Sequence, residues 1–279
     1  MRKIVLYIIY GDNQDYYNSA KYSLLTFMSW LTEPNQVEFF VLTEKPEEFD
    51  GYPVTTFLID KKQKNEWSIG GAYHFRIKNR GLLHIMDKMH EEDKILFFDA
   101  DTYFVKSPLP LFDLINSRQA LLYFNEGLIY SKKKFSIYVK NLADRKIKID
   151  NELYELSKKS SMWGSLLIGV MPNMKPSIEY ADQLLLSFFT MVPSHTIEQF
   201  SLAEALIKKY NIIEGKNFVS QYSTSRKKKY VKNILKVFFK ENDNLSINDK
   251  ISLAKTVKLK RSLFIIFKQR FFRKIDVKN

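Results

Sequence analysis

The chain has 279 residues and no cysteine. That excludes a disulfide framework, a thiolate zinc site, an iron–sulfur cluster and a cysteine nucleophile. It also leaves the redox compartment open, since a cysteine-free chain tolerates reducing and oxidising conditions alike. Histidine is scarce: only His74, His84, His90 and His195 occur, and no two stand at zinc-site spacing. No uncharged apolar run reaches the roughly 18–20 residues needed to span a bilayer. Arg2 and Lys3 precede the apolar stretch Ile4–Ile9. That stretch sits at the short limit of a signal-peptide apolar region, and no small-residue cleavage site follows, so it reads as a first strand. Internal repeats are absent, as is low complexity outside a few basic patches. What is present is 45% hydrophobic, 15% aromatic and 27% charged residues, which suits one large or two small globular domains.

The net charge of +13 is unevenly spread. Residues 1–225 carry 27 basic and 27 acidic side chains, whereas residues 226–279 carry 17 basic and 4 acidic. A neutral body is therefore followed by a basic C-terminal segment that seeks a polyanionic surface.

Along the body, strand and helix patterns alternate. Lys3–Tyr10 is a continuous apolar, β-branched run that fits a strand buried on both faces. Gly11-Asp12-Asn13 breaks it, and Tyr16–Leu31 has helical apolar spacing. Val37–Leu42, Val54–Ile59, Lys94–Phe98, Ala120–Phe124 and Ser165–Met171 read as further strands. Ala72–Met89, Ile178–Thr190 and Ile197–Tyr210 read as helices. Alternation of this kind predicts an α/β sandwich with a mostly parallel sheet, whose ligands bind at the carboxyl ends of its strands.

Two sharp turns fall at such ends. One is Gly11-Asp12. The other is Asp99-Ala100-Asp101, delivered by the apolar strand KILFF. In extended backbone alternate side chains share a face, so Asp99 and Asp101 can point into one space, with small Ala100 letting a ligand approach. Converging carboxylates make a hard oxygen site for Mg²⁺ or Mn²⁺, and such an ion bridges naturally to phosphates. An aspartate after a strand is also an ordinary loop opener. The apolar strand before the pair and the aromatic Thr102-Tyr103-Phe104 after it favour the ligand-binding reading.

The segment Lys94–Phe112 (KILFFDADTYFVKSPLPLF) resembles the DxD region of GT-A-fold glycosyltransferases. Within them it is most similar to the glycogenin-like and bacterial lipooligosaccharide galactosyltransferases of glycosyltransferase family 8. A looser likeness runs from residue 3 to about residue 225. The resemblance implies a GT-A three-layer sandwich with a mostly parallel central sheet over residues 1–225, which would form the catalytic domain. Residues 226–279 would follow as basic amphipathic C-terminal helices. It further implies a hexosyltransferase of surface-polysaccharide biosynthesis that uses a nucleotide-diphosphate sugar, in this family a UDP-sugar, with retention at the anomeric carbon.

Site residues carry over at matching positions. Asp99 and Asp101 would hold the Mn²⁺ or Mg²⁺ ion, with Gln221 standing where the family supplies a histidine. Tyr10, Gly11 and Ala100 would line the donor, and Tyr16 would stack on its base. Arg76 and Lys78 are the basic candidates for the diphosphate or sugar, Arg76 preferred for its planar fork. Trp163 and Gly164, in the turn before the strand at 166–171, would meet the acceptor, although the family's Asn-Ala-Gly is missing there. Glu198 and Gln199 would reach the reaction centre, although a carboxylate at a helix start has an ordinary dipole explanation too.

The basic segment interleaves Lys and Arg with apolar residues over 226–240 and 255–274. In the second stretch Leu259, Leu263, Phe264, Ile266, Phe267 and Phe271 recur at helical spacing. Such helices bind anionic lipid surfaces, and each basic residue near the surface contributes about 1 kcal/mol. The expectation is a peripheral protein on the cytoplasmic face of the cell membrane, acting on a growing glycan or lipid-linked acceptor. No nucleic-acid partner is expected, as no such module is present. Two other readings stay open at this point. One is a nucleotidyltransferase, which shares the sheet but needs a Gly-rich basic loop where this chain has acidic Gly11–Asp15. The other is a non-catalytic, membrane-attached glycan-binding protein.

Overall fold

The computed structural model describes residues 1–33, 35–150, 152–222 and 224–259. In chain order the strands and helices are β1 (Lys3–Ile9), α1 (Gln14–Met28), β2 (Glu38–Thr43), β3 (Thr55–Leu58), α2 (Lys61–Trp67), α3 (Arg76–Met86), β4 (Lys94–Phe98) and β5 (Thr102–Tyr103). There follow β6 (Gln119–Leu122), β7 (Asn125–Leu128), α4 (Ser136–Leu142), β8 (Ile147–Ile149), β9 (Glu152–Tyr154), β10 (Ser161–Trp163) and β11 (Leu167–Val170). Last come α5 (Lys175–Phe189), α6 (Ile197–Ile207), β12 (Asn211–Glu214), β13 (Ser220–Gln221), α7 (Ser225–Glu241) and α8 (Ile247–Ala254).

Among the described residues the main sheet has seven strands in the order β12-β6-β11-β4-β1-β2-β3. The pairs β1–β2, β1–β4, β2–β3 and β6–β12 are parallel, and β11 alone runs against its neighbours β4 and β6. The continuous apolar runs of β1 and β4 sit centrally, where both faces are covered.

Side-chain alternation sorts the two covering layers. Tyr7, Phe39 and Phe98 face α1: the Tyr7 hydroxyl bonds Ser23 Oγ at 2.7 Å, and the Phe27 ring packs edge-on against Phe39 and Phe98. Ile8 and Leu42 face α3, which approaches closely because position 81 is glycine. A Cβ there would stand 2.7 Å from Ile8 and 2.9 Å from Leu42. The result is an α/β sandwich with a mostly parallel sheet, as the alternation predicts, in the three layers that the resemblance implies.

Two sequence expectations shift. The helix read over Ala72–Met89 begins only at Arg76, because Ile69, Gly70 and Gly71 take positive φ and the chain turns through 72–75 first. The basic stretch 226–240 is helical in α7 and amphipathic, but its apolar stripe is already covered. Val231, Leu235 and Phe238 are buried with Tyr22 and Leu25 of α1, and Phe238 meets the Tyr22 ring edge-on at 6.1 Å. Each fully buried side chain of this kind contributes about 2 kcal/mol. The Tyr22 hydroxyl donates to the Ala254 carbonyl, which ties α8 to the same groove. The helix expected over 255–274 lies outside the described residues beyond Leu259. Among the described residues no helix is long and apolar enough to cross a membrane.

Candidate active site

β1 and β4 are parallel neighbours, so their carboxyl ends open side by side. β11 runs the other way and brings its amino end, Ser165-Leu166, to the same edge: the Asp99 amide donates to the Leu166 carbonyl at 2.8 Å. A cavity of about 410 Å³ opens along this edge. Tyr10 and Tyr16 line it from the first turn, Asp99, Ala100 and Asp101 from the second, Lys78 from α3, and Glu198 and Gln199 from α6.

Lys78 is the hub. Its Nζ lies 3.2 Å from Asp99 Oδ1 and 3.6 Å from Glu198 Oε2, and it donates to the Ser165 hydroxyl and carbonyl at 3.0 and 3.2 Å. Ser165 in turn donates to Glu198 Oε2 at 3.0 Å. Burial works to lower the Lys78 pKa, but Asp99 and Glu198 more than offset it and the net shift is upward. Burial pushes the Asp99 carboxyl above its ordinary range, with Lys78 opposing and Asp101 adding. Glu198 is raised for the same reason, opposed by Lys78 and reinforced by Asp99. Glu198 is 2% exposed, and its Oε1 has no hydrogen-bond partner among the described residues. Tyr73 fixes the start of α6. It donates its hydroxyl hydrogen to the His195 carbonyl at 2.8 Å and accepts from the Glu198 amide at 3.0 Å.

Asp101 has different partners. Lys228 Nζ stands 2.8 Å from Oδ2, and Gln221 Nε2 donates to Oδ1 at 3.3 Å. The β5–β13 pair puts Gln221 opposite Thr102, and Lys227 holds its carbonyl at 2.6 Å. Asp99 and Asp101 offer carboxylate oxygens to the cavity, whereas Gln221 does not line it and would add an oxygen donor only with its amide turned so that Oε1 replaces Nε2. The chemistry of these oxygens fits Mg²⁺ or Mn²⁺. Among the described residues no group of three His, Cys, Asp or Glu side chains assembles there or elsewhere.

Other expected residues lie apart. Arg76 is turned to α5, where Nε and Nη2 pair with both Asp182 oxygens at 2.8 Å and Nη1 reaches the Glu66 carbonyl. The preference for Arg76 over Lys78 is thus reversed: the fork serves a structural carboxylate, and Lys78 enters the cavity. Trp163 is buried in β10 with its indole N–H on Ser161, and Gly164 exchanges backbone hydrogen bonds with Tyr123 and Phe124. Neither lines the cavity. Gly11 takes φ +90 in its turn, and its amide donates to Glu44 at 2.5 Å. Sequence reasoning missed Ser165, Lys228 and Lys232. The signal for the lysines was their i, i+4 spacing beside the apolar stripe of α7.

No protein-family model matches the chain, and no curated protein matches it in sequence. Solved structures do match. The crystal structure of galactosyltransferase LgtC in complex with donor and acceptor sugar analogs aligns with a TM-score of 0.50 at 10% identity, covering 75% of this chain and 72% of that one. The fold is GT-A. At that identity the likeness is one of architecture, and the chemistry must be argued from the residues. On this GT-A sheet the cavity described above sits at the carboxyl ends of β1 and β4, where the strand order reverses because β2 and β3 lie on one side of β1 and β4 on the other, a usual place for ligands in open α/β sheets.

Proposed function

We propose that the protein is a glycosyltransferase that moves a sugar from a nucleotide-diphosphate donor, a UDP-sugar, to a surface glycan or lipid-linked acceptor. One observation carries this reading: Asp99, Asp101, Lys78 and Glu198 converge in one cavity at the carboxyl edge of a GT-A sheet. Tyr10 and Tyr16, which line that cavity, would pack against the base. Asp99, Asp101 and Gln221 would hold Mn²⁺ or Mg²⁺, which when bound neutralises the diphosphate as it departs. Lys78 from α3 and Lys228 from α7 add positive charge on the two sides of the cavity. Glu198 and Gln199 meet the sugar. The buried, unpartnered Glu198 Oε1 is an acceptor waiting for a donor, and a sugar hydroxyl supplies one. The transfer is read as retaining.

The membrane reading rests on α7. Its covered apolar stripe leaves Arg226, Lys229, Lys236 and Lys240 exposed on the outer side. That side is suited to anionic headgroups on the cytoplasmic face of the membrane, through charge rather than insertion.

The test is thermal shift with UDP, GDP and CMP, with and without Mn²⁺, on the wild type and Asp101→Ala. A Mn²⁺-dependent rise with UDP that disappears in the variant is expected. No shift with any nucleotide would remove the donor assignment.

A further inference from the structure

Lys228 holds a place in the cavity that a cation-binding carboxylate pair does not need. Its ammonium is 2.8 Å from Asp101 Oδ2 while Gln221 occupies Oδ1, so both oxygens of Asp101 have donors. Among the charged side chains of the cavity, Asp99 and Glu198 share Lys78, Asp101 is met by Lys228, and Lys232 is paired with Asp15 at 3.2 Å. A bare divalent ion reaching Asp101 must displace an ammonium from it and then face the displaced charge.

The two lysines on the carboxylates differ in what they can do. Lys78 is 13% exposed and is held by Ser165 and Glu198 as well as Asp99. Lys228 is 44% exposed. Its backbone is fixed by the α7 stripe on α1, while the end of its side chain has solvent to move into. A diphosphate arriving with the ion gives the displaced ammonium an anionic partner.

We propose that Lys228 is the counter-cation of Asp101 in the ligand-free protein and the residue that couples divalent-ion binding to diphosphate binding. This rests on the metal-assisted donor reading above. The ion and the diphosphate each enter poorly alone, because one opposes Lys228 and the other lacks it. Together they exchange partners: the ion takes Asp101 and Lys228 takes phosphate oxygen. Linkage makes the effect reciprocal, so UDP tightens Mn²⁺ by the factor that Mn²⁺ tightens UDP.

The experiment is a Mn²⁺ titration followed by electron paramagnetic resonance, with and without UDP, on the full-length wild type, Lys228→Met, Lys228→Arg and Asp101→Ala. For Mn²⁺ alone, Lys228→Met is expected to bind about fivefold tighter than wild type, the scale of a half-exposed ion pair. UDP is expected to tighten Mn²⁺ about tenfold in the wild type. That factor should shrink in Lys228→Met and be retained in Lys228→Arg. Equal or weaker binding of Mn²⁺ alone by Lys228→Met, with the UDP effect intact, overturns the role of Lys228 and leaves the metal reading standing. Mn²⁺ binding that is absent throughout, or that survives in Asp101→Ala, overturns the metal reading and this proposal with it.

Discussion

Aspartates close both edges of the central sheet, and they are treated in opposite ways. At the amino edge, Asp93 is buried and saturated. Its Oδ1 takes the Arg2 amide at 2.7 Å, and its Oδ2 takes Arg2 Nε, Arg2 Nη2 and the His90 amide at 3.0, 2.7 and 3.0 Å. Burial pulls its pKa up, but these donors more than reverse that and hold it at about 2. At the carboxyl edge, Asp99 and Glu198 share one lysine at 3.2 and 3.6 Å, an acceptor oxygen is left without a donor, and both carboxyls are pushed up. A saturated carboxylate fastens the fold, whereas an undersupplied one lining a cavity is a candidate for ligand binding, the role proposed above for Asp99 and Glu198. Arg76 with Asp182 belongs to the first kind, which explains why that guanidinium is absent from the cavity.

The contrast breaks most sharply at Glu198. Glu198→Gln keeps the size and the Ser165 hydrogen bond but loses the charge facing Lys78. Sugar transfer or donor hydrolysis should fall by about a hundredfold or more, with thermal stability nearly unchanged or raised. Activity within threefold of wild type would remove Glu198 from the reaction centre.

Asp93→Asn is the mirror case. Activity should be preserved and unfolding free energy should drop by about 2 kcal/mol at pH 7. The folded pKa of Asp93 lies below its unfolded value, so its stabilisation is present above the ordinary carboxylate range and is lost as pH falls through about 2. Denaturant titrations of wild type and variant should converge across that window.

The smallest effect is expected at Glu204, a buried carboxylate outside the cavity. Its Oε2 accepts from Tyr154 and Ser160, and burial raises its pKa against those two hydrogen bonds. A raised folded pKa means stability is lost as pH rises above the ordinary carboxylate range. Glu204→Gln should therefore match wild type near pH 4 and gain within about 1 kcal/mol by pH 8, read as the difference in melting temperature. A variant that loses stability at pH 8 would place Glu204 with the saturated group.

The strands at the centre of the sheet were legible because β1 and β4 are uninterrupted apolar runs, and a strand end carrying Asp99 and Asp101 points to one edge only. The choice between Arg76 and Lys78 was not legible. It depends on where α3 starts and how it is rotated on the sheet, and both are set by the turn at Ile69–Gly71 and the contact at Gly81 rather than by local periodicity. Trp163 next to a small-residue turn looked available to a sugar, but β10 pairs with β7 and buries it. Lys228 and Lys232 were hidden inside a basic run that reads as a solvated patch. Only the docking of Val231, Leu235 and Phe238 on α1 turns that edge of the helix toward the cavity.

Gly81 has a consequence that reaches past its own contact. It presses α3 onto Ile8 and Leu42 within the large core, so the wall carrying Lys78 is a fixed jaw. The wall carrying Lys228 rests on a smaller, separate apolar cluster. Units of unequal stability part at different costs. The cavity thus has one wall built into the large core, which keeps Lys78 in register with Asp99 and Glu198, and one wall that rests on the smaller cluster.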